Sequence, residues 1–312
     1  MLDIKKVKRK SAVLTPSTLA CLSNIATINL TAGCAHGCLY CYTRGYSIYP
    51  GAGKVAVYIN TLEKLCDEIS RRRTKPLAVY FSPSSDIFQP VPEVLDQAYD
   101  ILSFLFEREI KVAFLTKGLI PERHLRLICS HAHLVRGQIG LITTNERLLR
   151  IFEPRAAAAR ARLNQAKRFV ASGIETRVRG DPILPGITDD EKSLNNLCKA
   201  IAGAGVRRIA ASALFIRTAV RQSLRTGIGE NNITNNLMHN FRDAHKLRIH
   251  AENSTVTAMP SLKRIYIYNR LAKIAVGHSL EVRLCACKNP DLAAGSCSIA
   301  GDWCGPAQRN LF

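Results

Sequence analysis

The chain has 312 residues, 47% of them hydrophobic, and sets 44 lysines and arginines against 24 acidic residues for a formal charge of +20. That is enough apolar sequence for one large core or two smaller ones, and no run of about 18 apolar residues exists to span a membrane. The positive excess attracts polyanions, nucleic acid foremost, although a solvated basic surface or attraction to an acidic membrane would carry the same charge. Aromatics make up only 6% of the chain, which leaves few stacking platforms for single strands.

Residues Met1 to Lys10 are basic but lack the apolar segment of a secretory signal. Eleven cysteines without an export signal point to a reducing cytoplasm, where they serve as metal ligands or buried thiols. Lys5 to Lys10 reads as a solvated basic arm. Ile25 to Leu30 is β-rich and turns at Thr31-Ala32-Gly33 into a cysteine loop. Asn60 to Arg73 has helical spacing, with Leu62, Leu65, Cys66 and Ile69 on one face.

Leu77 to Phe81 is a continuous apolar run of the kind a parallel strand buried on both faces requires. A helix follows over Pro92 to Arg108, a strand over Lys111 to Leu115, and a helix begins at Pro121. Leu134 to Ile142 predicts a strand, Ala156 to Ser172 a helix stopped by Gly173, and Ile174 to Arg179 another strand. Thr188 and Glu191 have the spacing of a capping box for a helix ending near Ala202, followed by a strand over Val206 to Leu214. Arg221 to Asn236 is polar with a break, Met238 to Leu247 reads as helical, and Leu262 to Val276 is the last periodic helix. Six β-then-α units imply parallel strands with right-handed crossovers, in a partial barrel or an open doubly wound sheet. In either arrangement the functional loops lie at the carboxyl ends of the strands. The chain divides into an arm (1–22), a βα body (23–225) and a C-terminal extension (226–312).

Cys34, Cys38 and Cys41 stand in a Cys-x3-Cys-x2-Cys loop directly after the first strand of that body. Three thiolates leave one iron of a [4Fe–4S] cubane open to a small molecule, whereas a fourth would restrict the cluster to electron transfer. A zinc site completed by a histidine such as His36, or three buried thiols, uses the same residues. At the other end Cys285, Cys287, Cys297 and Cys304 are four cysteines in twenty residues near Gly295, Gly301 and Gly305. They suit a second [4Fe–4S] cluster or a tetrahedral zinc. Cys21, Cys129 and Cys198 lie in or beside apolar stripes and read as core. His131 and His133 could chelate as an i, i+2 pair, but a helix end with loop histidines is the simpler reading.

The cysteine loop resembles that of the radical SAM superfamily. Tyr40-Cys41-Tyr42 and Ser82-Pro83-Ser84-Ser85-Asp86-Ile87 are similar to its spore photoproduct lyase branch, often labelled DNA repair photolyases. The resemblance runs over residues 25 to 215 and implies a partial (β/α)6 TIM-type barrel with the C-terminal cysteine-rich extension beyond it. It implies S-adenosylmethionine on the open iron and its reductive cleavage to a 5′-deoxyadenosyl radical. It further implies SAM contacts from Lys117, Ser84 and Ser85, with Thr143 and Arg162 among the matching positions, and a hydrogen-atom relay through Tyr40 and Tyr42.

Residue by residue, each of these has a plainer role open to it. Lys117 could be a solvent-facing loop lysine, and Ser84 and Ser85 could cap a helix. Thr144 could be an N-cap, Glu153-Pro154 could simply end a helix, and Arg162 could lie on an exposed face. The tyrosines could pack beside the cluster. Asp181-Pro182 through Pro185-Gly186 forces a rigid turn. One position departs from the lyase: Pro83 stands where that enzyme has the cysteine that quenches its product radical, so direct repair of spore photoproduct is not expected.

The expected function is radical modification or repair of a nucleic acid or other anionic macromolecule, driven by a flavodoxin- or ferredoxin-type reductant. Two alternatives remain at this stage. One is a peptide, protein or small-metabolite substrate with the tail site as an auxiliary cluster. The other is a non-enzymatic cysteine-rich nucleic-acid-binding protein.

Overall fold

Short apolar segments joined by amphipathic helices dictate the architecture. The computed structural model describes residues 2–17, 20–22, 25–249, 254–293 and 303. A first strand β1 (Asp3–Val7) pairs in parallel with β4 (Lys54–Tyr58), which pairs antiparallel with β3 (Thr31–Ala32) to make a three-stranded side sheet. The basic arm is therefore anchored along part of its length: β1 is a mostly exposed strand fixed at one edge of that sheet.

The main sheet has seven parallel strands. They are β2 (Ala26–Ile28), β5 (Ala78–Phe81), β6 (Lys111–Thr116), β7 (Val135–Gly140), β8 (Glu175–Ile183), β9 (Arg208–Ala213) and β12 (Glu281–Leu284). Their spatial order is β12-β9-β8-β7-β6-β5-β2, so each new strand is added on the same side and the order never reverses. A doubly wound sheet reverses at a switch point, and the alternatives left open by periodicity are settled in favour of a curved, barrel-type sheet. The seventh strand comes from the C-terminal extension, beyond the six predicted units, and β12 pairs with β9. Strands β2 and β12 form the two unclosed edges.

Helices α1 (Thr61–Ser70), α2 (Pro92–Phe106), α3 (Glu122–Ser130), α4 (Glu146–Phe152), α5 (Ala159–Ala171) and α6 (Glu191–Gly203) connect the strands in turn. Alternation along the strands gives each face its own core. Val79 and Phe81 of β5 join the large cluster packed by the helices, while Ala78 and Tyr80 join a second, smaller cluster with Ala113 and Ala210. Small residues on that second face leave room inside the curve of the sheet.

Two local expectations fail. The α6 N-cap is Asp190, whose carboxylate accepts from the Ser193 N–H at 2.9 Å, because the Thr188 hydroxyl is already accepting from the Leu184 N–H in the preceding turn. The segment Met238–Leu247 is helical only at Met238 and His239. After α7 (Thr218–Ile228) and α8 (Asn232–His239), residues His245–Ile249 form β10, antiparallel to β11 (Ser254–Ala258). Period-two burial wins there, since Leu247, Ile249 and Val256 all pack against the inner cluster. Helix α9 (Ser261–Gly277) then leads into β12. No helix among the described residues is long and apolar enough to cross a membrane.

Candidate active site

The cysteine loop leaves β3 through Gly33, whose φ is +80° and whose Cβ, if it had one, would stand 2.5 Å from the Lys54 carbonyl oxygen. Only glycine fits that turn. Beyond it, side chains from distant segments pin the backbone. The Ala35 N–H donates to buried Gln89 at 2.7 Å, and Arg155 Nε donates to the Ala35 carbonyl at 2.6 Å. Arg44 reaches the carbonyls of Cys38 (3.0 Å) and Gly37 (3.1 Å). A loop fixed at this many points places Cys34, Cys38 and Cys41 together on the wall of a cavity of about 220 Å³. Burial pushes the Cys38 thiol up to about 12, against the pull of Lys117, and raises Cys34 well above its ordinary value, with Asp86 adding to the effect. Such thiols stay protonated until a metal displaces the proton.

Lys117, at the carboxyl end of β6, lies on the same wall. Its ammonium contacts Glu153 Oε1 at 2.7 Å and the Tyr40 hydroxyl, and Tyr40 in turn donates to that carboxylate. The other oxygen of Glu153 meets Arg162 Nη1 at 2.6 Å. Burial works to raise the Glu153 carboxyl, but Lys117 and Arg162 outweigh it and hold it at about 2. Burial likewise opposes charge on Lys117, and Glu153 reverses that and raises it. Gly140 makes space for this lysine: a Cβ there would lie 2.8 Å from its Cγ.

Asp86 organises the opposite side of the loop. It accepts from Thr116 Oγ1 (2.9 and 3.0 Å), the Lys117 N–H (2.8 Å) and the Phe88 N–H (2.8 Å), and pairs with His36 Nε2 at 2.9 Å. Burial would raise its carboxyl, yet His36 and these donors hold it down. His36, a candidate zinc ligand by sequence, is committed to this pair, while its Nδ1 faces the Arg155 carbonyl at 3.2 Å.

Other expected residues divide cleanly. Ser84 and Ser85 line the cavity, and so does Ser82. The hydroxyls of Ser82 and Ser85 are buried without a hydrogen-bond partner among the described residues. Tyr42 lines it too, its phenol donating to the carbonyl of Pro83. Thr143 does not; its hydroxyl accepts from the Asn145 N–H at 3.1 Å, and Asn145, not Thr144, caps α4. Arg162 is fully buried behind Glu153, neither lining the cavity nor lying on an exposed face.

Glu153 does end α4, as its neighbour Pro154 predicts, but its carboxylate is the centre of the charged network. Its partners Lys117 and Tyr40 are 36 and 113 residues away, so the sequence around Glu153 does not show which groups its carboxylate meets. His131 stacks on Phe106 and His133 faces Glu109, so the pair serves the helix end. Across the cavity, Cys285 and Cys287 are buried and gather with Cys21, which the apolar pattern had assigned to core. Cys297 and Cys304 lie outside the described residues.

The residues fit a cubane with an open iron and a small zwitterion beside it. Three cysteines share a wall with a paired ammonium suited to a carboxylate and two unpartnered buried hydroxyls. Comparisons with known proteins agree. The family model of the radical SAM superfamily matches residues 28–198. An uncharacterized protein of Mycobacterium tuberculosis is 28% identical over 221 residues, covering 68% of this chain and 65% of that protein. The chain thus spans just under two thirds of the length of that relative. The Radical SAM Nalpha-GlyT isomerase of Pseudomonas phage M6 is 26% identical over 173 residues, 55% of this chain and 35% of that protein. A spore photoproduct lyase complexed with dinucleoside spore photoproduct superimposes with a TM-score of 0.67 at 12% identity, over 90% of this chain and 82% of that one. At that identity the likeness establishes a shared fold.

Proposed function

The chain belongs to the radical SAM superfamily, and on that footing we propose that it is an enzyme that uses S-adenosylmethionine to modify or repair a nucleic acid or other anionic macromolecule. The observation that carries the reading is the meeting of Cys34, Cys38 and Cys41 with Lys117, Ser82 and Ser85 on one cavity. Cys34, Cys38 and Cys41 would hold the [4Fe–4S] cluster, which with SAM bound supplies reductive cleavage of the sulfonium and a carbon radical able to take a hydrogen atom.

The chain's own residues do the holding. Lys117, fixed by Glu153 and Tyr40, presents a positive charge to the carboxylate of SAM. Ser85 and Ser82 offer hydroxyls to its polar groups, with Ser84 beside them. Arg162 and Thr143 act at one remove, Arg162 by orienting Glu153 and Thr143 by shaping the turn into α4. Tyr40 braces the lysine, while Tyr42, which lines the cavity and donates to the Pro83 carbonyl, is the phenol we assign to meet a substrate or its radical. Pro83 has no thiol hydrogen to give, so another donor or the substrate's own rearrangement must end the reaction.

The +20 charge supports a polyanionic substrate; on the cavity wall Arg179, Arg217 and Lys288 outnumber Asp181, which pairs with Arg179 and Lys288. A flavodoxin- or ferredoxin-type protein is the expected source of the electron. Isotope transfer tests the substrate class. With reductant, SAM and a perdeuterated oligonucleotide, deuterium should pass into 5′-deoxyadenosine. Deuterium arriving from perdeuterated peptides, and none from DNA or RNA, would overturn the nucleic acid reading.

A further inference from the structure

Cys21 precedes β2 and Cys285 follows β12, so these residues flank the two unclosed edges of the main sheet. With Cys287 they bring three sulfurs within 4.8 Å of one another, the one such group among the described residues. We propose that Cys21, Cys285 and Cys287 supply three thiolates to a single divalent ion of the zinc class, with a further ligand completing its tetrahedron, and that this ion staples the open edges of the barrel.

Spacing argues for one ion. At a metal–sulfur distance near 2.3 Å, two thiolates on one tetrahedral ion stand ~3.8 Å apart, within the observed limit. Thiolates on separate irons of a cubane diverge outward and stand wider, and Cys34, Cys38 and Cys41 do not form a comparably tight group. The two cysteine sets thus differ in geometry, and the proposed site takes Cys21 from the N-terminal side of the barrel in addition to Cys285 and Cys287 of the tail.

The turn that carries two of the ligands is built in advance. Asn289, fully buried, donates its backbone N–H to the Cys285 carbonyl at 3.0 Å and accepts at its side chain from Tyr268 at 2.7 Å. The Lys288 N–H reaches the same carbonyl at 3.1 Å. Around the sulfurs, Leu22, Ile25, Tyr80 and Ile249 supply an apolar shell. Thiols gathered in such a shell, Cys285 and Cys287 buried and Cys21 partly so, favour a metal that displaces their protons over reactive cysteines. The same three residues border the cavity that holds the other triad, so the ion would sit on the wall of that cavity.

The proposal is independent of the radical reading and can be tested with that site removed. The full chain carrying Cys34→Ala, Cys38→Ala and Cys41→Ala is purified and its metal and sulfide are counted. About one zinc or iron per chain without sulfide is expected, and Co(II) exchange should give the intense visible bands of tetrahedral thiolate coordination. Adding Cys21→Ser should remove at least nine tenths of the metal, whereas adding Cys21→His should retain it with a shifted cobalt spectrum. Cys66→Ser in place of the Cys21 changes should alter nothing. Undiminished metal in the Cys21→Ser variant, or about four irons with matching sulfide, overturns the proposal.

Discussion

A lysine ammonium buried beside three thiols is tolerable only with a carboxylate against it. Glu153 fills that need, and Arg162 keeps it ionised. Replacing Glu153 by Gln leaves two buried cations facing a neutral amide, which should cost about 3–5 kcal/mol in urea unfolding at pH 7 and weaken SAM binding by freeing Lys117. The sign with pH follows from a depressed carboxyl. An exposed glutamate titrates near 4.3, and Glu153 is held at about 2. Its contribution is therefore complete above roughly pH 4.3 and is lost as pH falls toward 2. Glu153→Gln should flatten that part of the acid-unfolding profile, and an unchanged slope would remove Glu153 from the account. The cysteine loop and Lys117 were legible in the sequence because each is marked by its immediate neighbours. Asp86 and Glu153 stood in stretches that resemble the lyase branch, but their roles, like that of Cys21, were not legible there because they depend on partners tens to hundreds of residues away.

At the scale of elements, apolar runs located all six predicted strands of the βα body, because strands covered on both faces need little else to be recognised. Order in the sheet was not legible. Periodicity cannot say on which side the next strand is added, and only the unreversed sequence β2 to β9 distinguishes a barrel from a doubly wound sheet. Beyond Phe215 the pattern thinned, and β10 was taken for helix because five residues with one exposed face carry too short a period-two signal. The end of β7 shows how an element serves the site. Gly140 lies where a Cβ would press on Lys117 at 2.8 Å, so Gly140→Ala should displace the ammonium from Glu153. Overpacking of this kind costs about 1–3 kcal/mol. The expected readout is a rise in the SAM dissociation constant larger than the loss of thermal stability would explain, and wild-type SAM affinity would contradict that role for Gly140.

For the molecule as a whole, the parallel sheet puts every functional strand end on one face, as barrel-type enzymes do. The three-cysteine loop after the first strand, Lys117 after the third, and Cys285 and Cys287 after the seventh therefore converge on one cavity. All of this rests on the N-terminal triad carrying a cluster that cleaves SAM. The direct measurement is 5′-deoxyadenosine formed from SAM by anaerobically reconstituted protein under strong reductant, beside the Cys38→Ala variant. The account predicts reductant-dependent formation of 5′-deoxyadenosine and methionine that falls at least a hundredfold in Cys38→Ala. No cleavage by the wild-type chain, or equal cleavage by the variant, would contradict it.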